Sequence, residues 1–281
     1  MTLFPAGQDA AERIIHFEAI ENARDLGGLV MQDGRKVRPG FLVRSGNLSR
    51  ATDSDVAVLK ERFNLTNVFD FRFDEEEADA PDRRIEGVNY VRLSTLPQRL
   101  IDGFTSGRAD NKQLSSKDFV ENLVNFAFMP HAQQVSRMMY TAIVSEPNSQ
   151  MLYGMFMHGV LNARAGVLWH CSQGKDRAGW ATAFLLAALG ASRETIEADF
   201  DLSNRYFAPF LRKMLADVIG MGGGEREKEF LQAMVGVSLK NFRQALDMIE
   251  GKYGSLQAYV EKALGFSKAE QRKLQKKYLT S

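Results

Sequence analysis

Apolar residues recur along this chain with two different periods, and the alternation between them predicts the fold. Dense, partly alternating runs read as short strands: Gly40-Phe41-Leu42-Val43-Arg44-Ser45-Gly46, Asn67-Val68-Phe69-Asp70-Phe71-Arg72, Val88-Asn89-Tyr90-Val91-Arg92-Leu93 and Gly166-Val167-Leu168-Trp169. Helical spacing fills the intervals. Ser49 or Thr52 opens a helix through Val56, Leu59 and Phe63. After a polar stretch from Thr105 to Asp110, the residues Phe119, Leu123, Phe126 and Met129 share one stripe. A second helix passes through Met138, Met139, Ile143 and Val144, a third runs from Met151 to Ala163, and Pro130 and Pro147 punctuate the series. Trp180 to Leu189 reads as a buried helix stopped by Gly190. A helix from Ser192 through Phe200 leads into a polar, Asn-containing segment, and Gly220 to Gly224 is a flexible connection. The remainder is helical, with Ser255 capping one helix and Ser267 with Glu270 boxing the last. Strands alternating with helices predict an α/β fold with a mainly parallel central sheet flanked by helices. With no internal repeat, residues 1–281 read as one domain carrying a helical insertion at about 97–160.

Composition narrows the function. A formal net charge of +1 over 281 residues argues against a general nucleic-acid partner, although it says little about a local anion site. One cysteine excludes an intrachain disulfide framework and a multi-cysteine zinc site, and no cofactor or metal is expected. The apolar run from Ala178 to Leu189 is too short to span a bilayer, so no stable membrane insertion is expected. The opening, MTLFPAGQDAAERIIHFEAI, lacks a basic leader with an apolar core. That predicts a cytoplasmic protein, with export by a route needing no visible signal left open. The acidic run Asp74-Glu75-Glu76-Glu77 reads as a solvated helix start.

The chemistry concentrates in His170-Cys171-Ser172-Gln173-Gly174-Lys175-Asp176-Arg177-Ala178-Gly179, between the last strand and the buried helix. A loop so placed turns backbone N–H groups inward, and the helix N-terminus adds roughly half a positive charge. Phosphate or sulfate is the natural occupant. Arg177 can add a bidentate fork to such an anion, and the same surroundings favour a Cys171 thiolate over the thiol. A lone cysteine is ordinarily a buried, inert hydrophobe. A Cys-x5-Arg pair framing such a loop instead places a nucleophile against phosphorus, which leads to a phosphocysteine intermediate.

The decapeptide resembles the signature loop of the cysteine-dependent protein tyrosine phosphatase superfamily. Its Lys-Asp pair narrows the likeness to the bacterial tyrosine-phosphatase-like branch, whose members accept phosphoproteins and phosphoinositides. Asn22-Ala23-Arg24-Asp25-Leu26-Gly27-Gly28 resembles a signature near the start of that branch. Asp70-Phe71-Arg72 is similar to its Asp-Leu-Arg segment, and Tyr253-Gly254-Ser255 with Tyr259 and Leu264-Gly265 is similar to its C-terminus. The resemblance implies a metal-independent phosphomonoester hydrolase, with Cys171 as nucleophile, Arg177 as phosphate clamp and Asp176 as general acid or as a brace of the loop. Ser172, Gln173, Gly174, Lys175, Ala178 and Gly179 complete the substrate cradle. Lys175 is associated with multiply phosphorylated head groups, or is simply a solvated charge. Arg24 and Asp25 are expected near the loop, in support of it or facing substrate. Asp70 is expected as a structural ion-pair partner or as an alternative acid, and the helices within 97–160 as core packing or as a lid.

One residue departs from the pattern. Ala178 stands where the branch usually has a serine or threonine that donates to the thiolate. Loss of a hydrogen bond to a charged group costs about 1.5–3 kcal/mol, so a slow second step is expected. The partners implied are a phosphorylated protein, phosphotyrosine first, or a phosphoinositide. The alternative is a catalytically weak phosphate-binding module, a pseudophosphatase. A sulfur-transfer protein also uses a cysteine loop, but the Lys-Asp-Arg run and the N-terminal signature argue against that.

Overall fold

The computed structural model describes residues 13–96 and 132–280. A central sheet has the order β1-β2-β5-β3-β4, formed by β1 (Arg24–Asp25), β2 (Leu42–Ser45), β3 (Leu65–Asp70), β4 (Asn89–Arg92) and β5 (Gly166–His170). Among these five strands β1 pairs with β2 antiparallel, while β2–β5, β5–β3 and β3–β4 are parallel. The four strands expected from the sequence are present. The two-residue β1 is invisible to periodicity, since Arg24-Asp25 carries no apolar signal.

Side-chain alternation divides the strands between two cores. Leu42, Phe69, Val167 and Trp169 enter the larger one, while Val43, Val68 and Leu168 enter the smaller. Both faces are therefore covered, as parallel sheets require. The smaller face is covered by α1 (Asp53–Glu61), through Leu59, and by the N-terminal segment, through Ile15 and Ile20. Thr52 caps α1 and forms a capping box with Asp55. A short helix α2 (Asp74–Asp79) comes after β3.

The larger face packs against α3 (Ala132–Ser145), α4 (Pro147–Asn162) and α5 (Asp176–Leu189). The expected stripe from Phe119 to Met129 lies outside the described residues. Helices α3 and α4 are core elements: Tyr140, Ile143 and Val144 of the first and Tyr153, Phe156, Met157 and Val160 of the second are all buried. Met138, Met151 and Met155 instead face outward. Helix α5 is buried over nearly its whole length and ends at Gly190, in the left-handed conformation with φ 94°.

The helix after Ser192 does not stop in the polar segment. Helix α6 runs from Arg193 to Gly220, straight through Asn204 and Pro209. Asn204 does not break it, because its side chain is satisfied from outside: it donates to Val237 O at 3.1 Å and accepts from Val237 N at 2.8 Å. Beyond Phe207, α6 packs with α7 (Glu225–Val235) around a separate small core of Met214, Val218, Leu231 and Val235. Helices α8 (Leu239–Tyr253), α9 (Leu256–Lys262) and α10 (Lys268–Tyr278) close the fold, with Ser255 and Ser267 as caps. No helix among the described residues is long and apolar enough to cross a membrane. The sheet delivers residue 171 at the carboxyl end of its central strand, where open α/β sheets bind ligands.

Candidate active site

The loop after β5 is shaped by what holds its carbonyls. Cys171 O contacts His170 Nδ1 at 3.2 Å. Ser172 O accepts from the Asn47 side chain at 2.8 Å and from Asn47 N at 3.2 Å. The Asn22 amide donates to Gln173 O and Gly174 O, both at 3.1 Å. Arg44 donates to Gly174 O at 2.8 Å and Lys175 O at 3.1 Å. No peptide here is cis, and a trans peptide sets its C=O opposite the next N–H. Anchoring each carbonyl from Cys171 to Lys175 outward therefore turns the amides of residues 172–176 the other way, into a nest that suits an oxyanion. Gly174 sits at φ 67°, and a Cβ there would overlap Ser45 O, so only glycine closes this turn.

The nest opens on a cavity of about 400 Å³, lined by Cys171, Ser172, Gln173, Lys175, Asp176 and Arg177, with Phe73, Glu76, Ser136, Met139 and Met234 around them. Cys171 is 2% exposed. Arg177 is held as a fork by Glu76, with Nη1–Oε2 2.5 Å and Nη2–Oε1 2.7 Å, and also donates to Phe71 O at 3.2 Å. Ser172 Oγ donates to the same carboxylate at 2.5 Å. Burial opposes the charge on each partner. The pairing wins, holding Glu76 below the usual carboxylate range and raising Arg177 further. The expectation of a wholly solvated acidic run is therefore corrected at Glu76, which reaches the cysteine loop.

Asp176 accepts from the Tyr140 hydroxyl at 2.5 Å, which fixes the carboxyl at the cavity wall. Burial, then Asp176 itself, pushes the Tyr140 phenol well above its ordinary value, so this O–H stays a donor. Lys175 lines the cavity, but its ammonium is turned to the end of α7, where it donates to the carbonyls of Met234, Val235 and Gly236, the last two at 3.1 Å. That is neither a solvated charge nor a free anion-binding group: the lysine neutralises a helix C-terminus. Burial draws its pKa down.

The expectations for Arg24, Asp25 and Asp70 need correction or refinement. Arg24 and Asp25 are not among the cavity's lining residues. Arg24 lies behind the loop, bonded to Asp199 and to Asn22 Oδ1 at 3.0 Å. Asp25 accepts from Gly27 N and Gly40 N, which braces a turn. Both are buried in these hydrogen bonds, and Arg24 bonds to Asn22, which holds the loop. Asp70 pairs with Arg72 at 2.8 Å. Arg72 also holds Asp82 at 3.1 Å, and His170 Nε2 lies 3.0 Å from Asp82. Asp70, Asp82 and His170 bring three potential metal-ligand atoms within 4.8 Å of one another. The Arg72 guanidinium already supplies the cation between those carboxylates.

Ala178 and Gly179 are buried at the start of α5. A Cβ on Gly179 would overlap the Phe200 ring, at 2.6 Å, and crowd Arg44 Nη2, at 3.3 Å, so this glycine chiefly admits Phe200 beside the Arg44 guanidinium. No motif or spacing marks Arg44, Asn47, Tyr140 or Asp199 as parts of the site. Only Asn22 lies within a motif, and without an assigned role.

A family model described as the tyrosine phosphatase family matches residues 15–280. This chain belongs to that family. The phosphatase is 29% identical over 266 residues, 91% of its own length and 86% of the relative's, to a Cupriavidus necator protein provisionally named a tyrosine-protein phosphatase. It is also 29% identical over 255 residues to the triple specificity protein phosphatase PtpB of Mycobacterium tuberculosis, covering 83% of this chain and 88% of that one. As a tyrosine phosphatase, it acts on phosphorylated substrates.

Proposed function

We propose that this phosphatase hydrolyses phosphomonoesters, phosphotyrosine first, through a phosphocysteine on Cys171. The observation that carries the reading is the convergence of Cys171, the nest of loop amides and Arg177 on one cavity. Cys171 Sγ attacks phosphorus, the P–O ester bond breaks, and Asp176 gives its proton to the leaving oxygen. The amides and Arg177 stabilise the equatorial oxygens as charge redistributes. Water, deprotonated by Asp176, then attacks phosphorus; the S–P bond breaks and inorganic phosphate leaves. An aryl oxide leaves with less help from an acid than an alkoxide, which favours phosphotyrosine.

Activity on phosphoinositides requires Lys175 to exchange the end of α7 for a second phosphate. Ala178 supports a second reading, a phosphate-binding module that turns over weakly. Para-nitrophenyl phosphate separates them. Turnover by the wild type, abolished in Cys171→Ser and reduced in Asp176→Asn with the basic limb of the pH–rate profile flattened, is the expected result. Turnover retained by Cys171→Ser ends the cysteine mechanism, and none in the wild type favours the binding module. A panel of phosphopeptides and phosphoinositides then ranks the substrates.

A further inference from the structure

Behind the loop, on the side away from the cavity, lies a buried ionic cluster that makes no hydrogen bond to Cys171, Asp176 or Arg177. Asp199 of α6, 1% exposed, accepts from Arg24 Nε at 3.2 Å, from Arg44 Nη1 at 2.8 Å and from Arg13 Nη1 at 3.1 Å. Arg24 in turn holds Asn22 Oδ1, and Asn22 adopts a left-handed backbone with φ 50°. From this cluster two side chains reach up: Asn22 to the carbonyls of Gln173 and Gly174, Arg44 to those of Gly174 and Lys175. These are the carbonyls whose outward anchoring turns the amides of Gly174, Lys175 and Asp176 inward.

From that arrangement we infer that Asn22, Arg44 and Asp199 are positioning residues that preset the anion nest, a role that rests on the proposed phosphatase chemistry. Asn22 and Arg44 hold the peptides, and Asp199 holds Arg44 without touching the loop.

The electrostatics point the same way. Among the described residues, Asp199 is the only carboxylate in ion-pair contact with Arg24 or Arg44, and Arg13 pairs with it as well, so three guanidiniums share one negative charge behind the nest. Burial, then the neighbouring Arg24, presses the Arg44 guanidinium down to about 9, while Asp199 and Cys171 pull it back. Burial opposes the Asp199 charge, but the arginines hold its carboxyl far below the usual range. A site with such a cationic floor gains from an anion above it. The nest is thereby both shaped and charged before substrate arrives, which is the preorganisation that oxyanion stabilisation depends on.

The test uses the full chain, with sodium tungstate as a tetrahedral oxyanion probe followed by calorimetry, alongside para-nitrophenyl phosphate kinetics. Asn22→Asp keeps the size and the tolerance for positive φ but removes both donors. Arg44→Lys keeps the charge but cannot fork between Asp199 and the loop. Asp199→Asn keeps the shape but releases Arg44. Each should raise the tungstate Kd and lower kcat/KM by roughly ten- to a hundredfold, in parallel, because the amides serve ground and transition states alike.

Variants that melt cooperatively like the wild type yet keep both quantities within about threefold overturn the inference, since a merely structural role predicts that result. If Arg44→Lys or Asp199→Asn fails to fold, Asn22→Asp alone decides. Wild-type protein that binds tungstate without turnover refutes the phosphatase reading, and the Kd ratios still decide the positioning role. Wild-type protein that binds no tungstate overturns both.

Discussion

Glu76→Gln isolates the contact between α2 and the cysteine loop. The native carboxylate accepts both Nη groups of Arg177 and the Ser172 hydroxyl, with Arg177 and Glu76 side chains 9% and 13% exposed. An amide of the same shape offers one neutral oxygen and turns an NH₂ toward a guanidinium. At least one charge-assisted bond is therefore lost, and hydrogen bonds to charged groups contribute about 1.5–3 kcal/mol. If Arg177 must hold its angle to clamp the transition state, that loss converts to a fall of roughly ten- to a hundredfold in kcat/KM. The pH dependence supplies a second signature. Because Glu76 is held below the usual carboxylate range, its bracing is complete above the unfolded value and is lost as pH falls through the native one. The wild type should thus show an acid-limb component that Glu76→Gln lacks. Stopped assays on an aryl phosphate across the acid range measure both effects. An unchanged kcat/KM with tighter tungstate binding would refute the reasoning, since Glu76 would then compete with phosphate for Arg177 rather than orient it.

Three further outcomes are expected. Restoring a hydroxyl in Ala178→Ser should shrink a pre-steady-state burst and speed steady turnover by about tenfold or more, since one hydrogen bond to a thiolate leaving group is regained; a wild type with no burst and a variant no faster would count against it. Lys175→Met removes the ammonium from the carbonyls ending α7, and Cys171 should then react several-fold faster with iodoacetamide; an unchanged rate means that α7 does not control access. His170 lies between Asp70 and Asp82. Burial works against its charge, but those carboxylates raise its pKa above 6.5. Its contribution to stability is full below about 6.5 and disappears as pH rises through the raised native value. Melting temperatures should show that step in the wild type and not in His170→Gln, and parallel profiles would reject it.

Much of the site was legible because its chemistry is contiguous: one decapeptide carries nucleophile, clamp and cradle. The supporting residues were not, and the reason differs from case to case. Asp74, Glu75, Glu76 and Glu77 are equivalent in composition, and only the helical rotation of α2 turns Glu76 to the loop while Asp74 and Glu75 stay exposed. Arg44 and Asp199 meet across 155 positions, which no local spacing encodes. For Lys175 the sequence offers a solvated charge or a ligand group; capping a helix some 60 residues downstream is outside both. The fold itself is written in periodicity, because the two faces of β2, β3 and β5 bury alternate residues. Helix α6 outruns its expected end, since Asn204 and Pro209 carry stop signals that a tertiary partner and a single missing N–H leave without effect.

The small core shared by α7 and the far half of α6 has a consequence for how the enzyme breathes. Its residues form a cluster distinct from both sheet-facing cores. Pro209 lies within its α6 side, between Phe207 and Met214, where it removes a helical bond, and Gly236 follows the last turn of α7. A segment with its own modest apolar cluster can open as a cooperative unit at a fraction of the global unfolding free energy. Ala233 and Met234, part of the cavity wall, travel with it. Solvent contact with the buried sulfur would then follow the fluctuation of a helical hairpin while the sheet that presents the sulfur stayed folded, and the alkylation rate of Lys175→Met reads that directly. The timing of exposure and the geometry of attack would be set by separate parts of one chain.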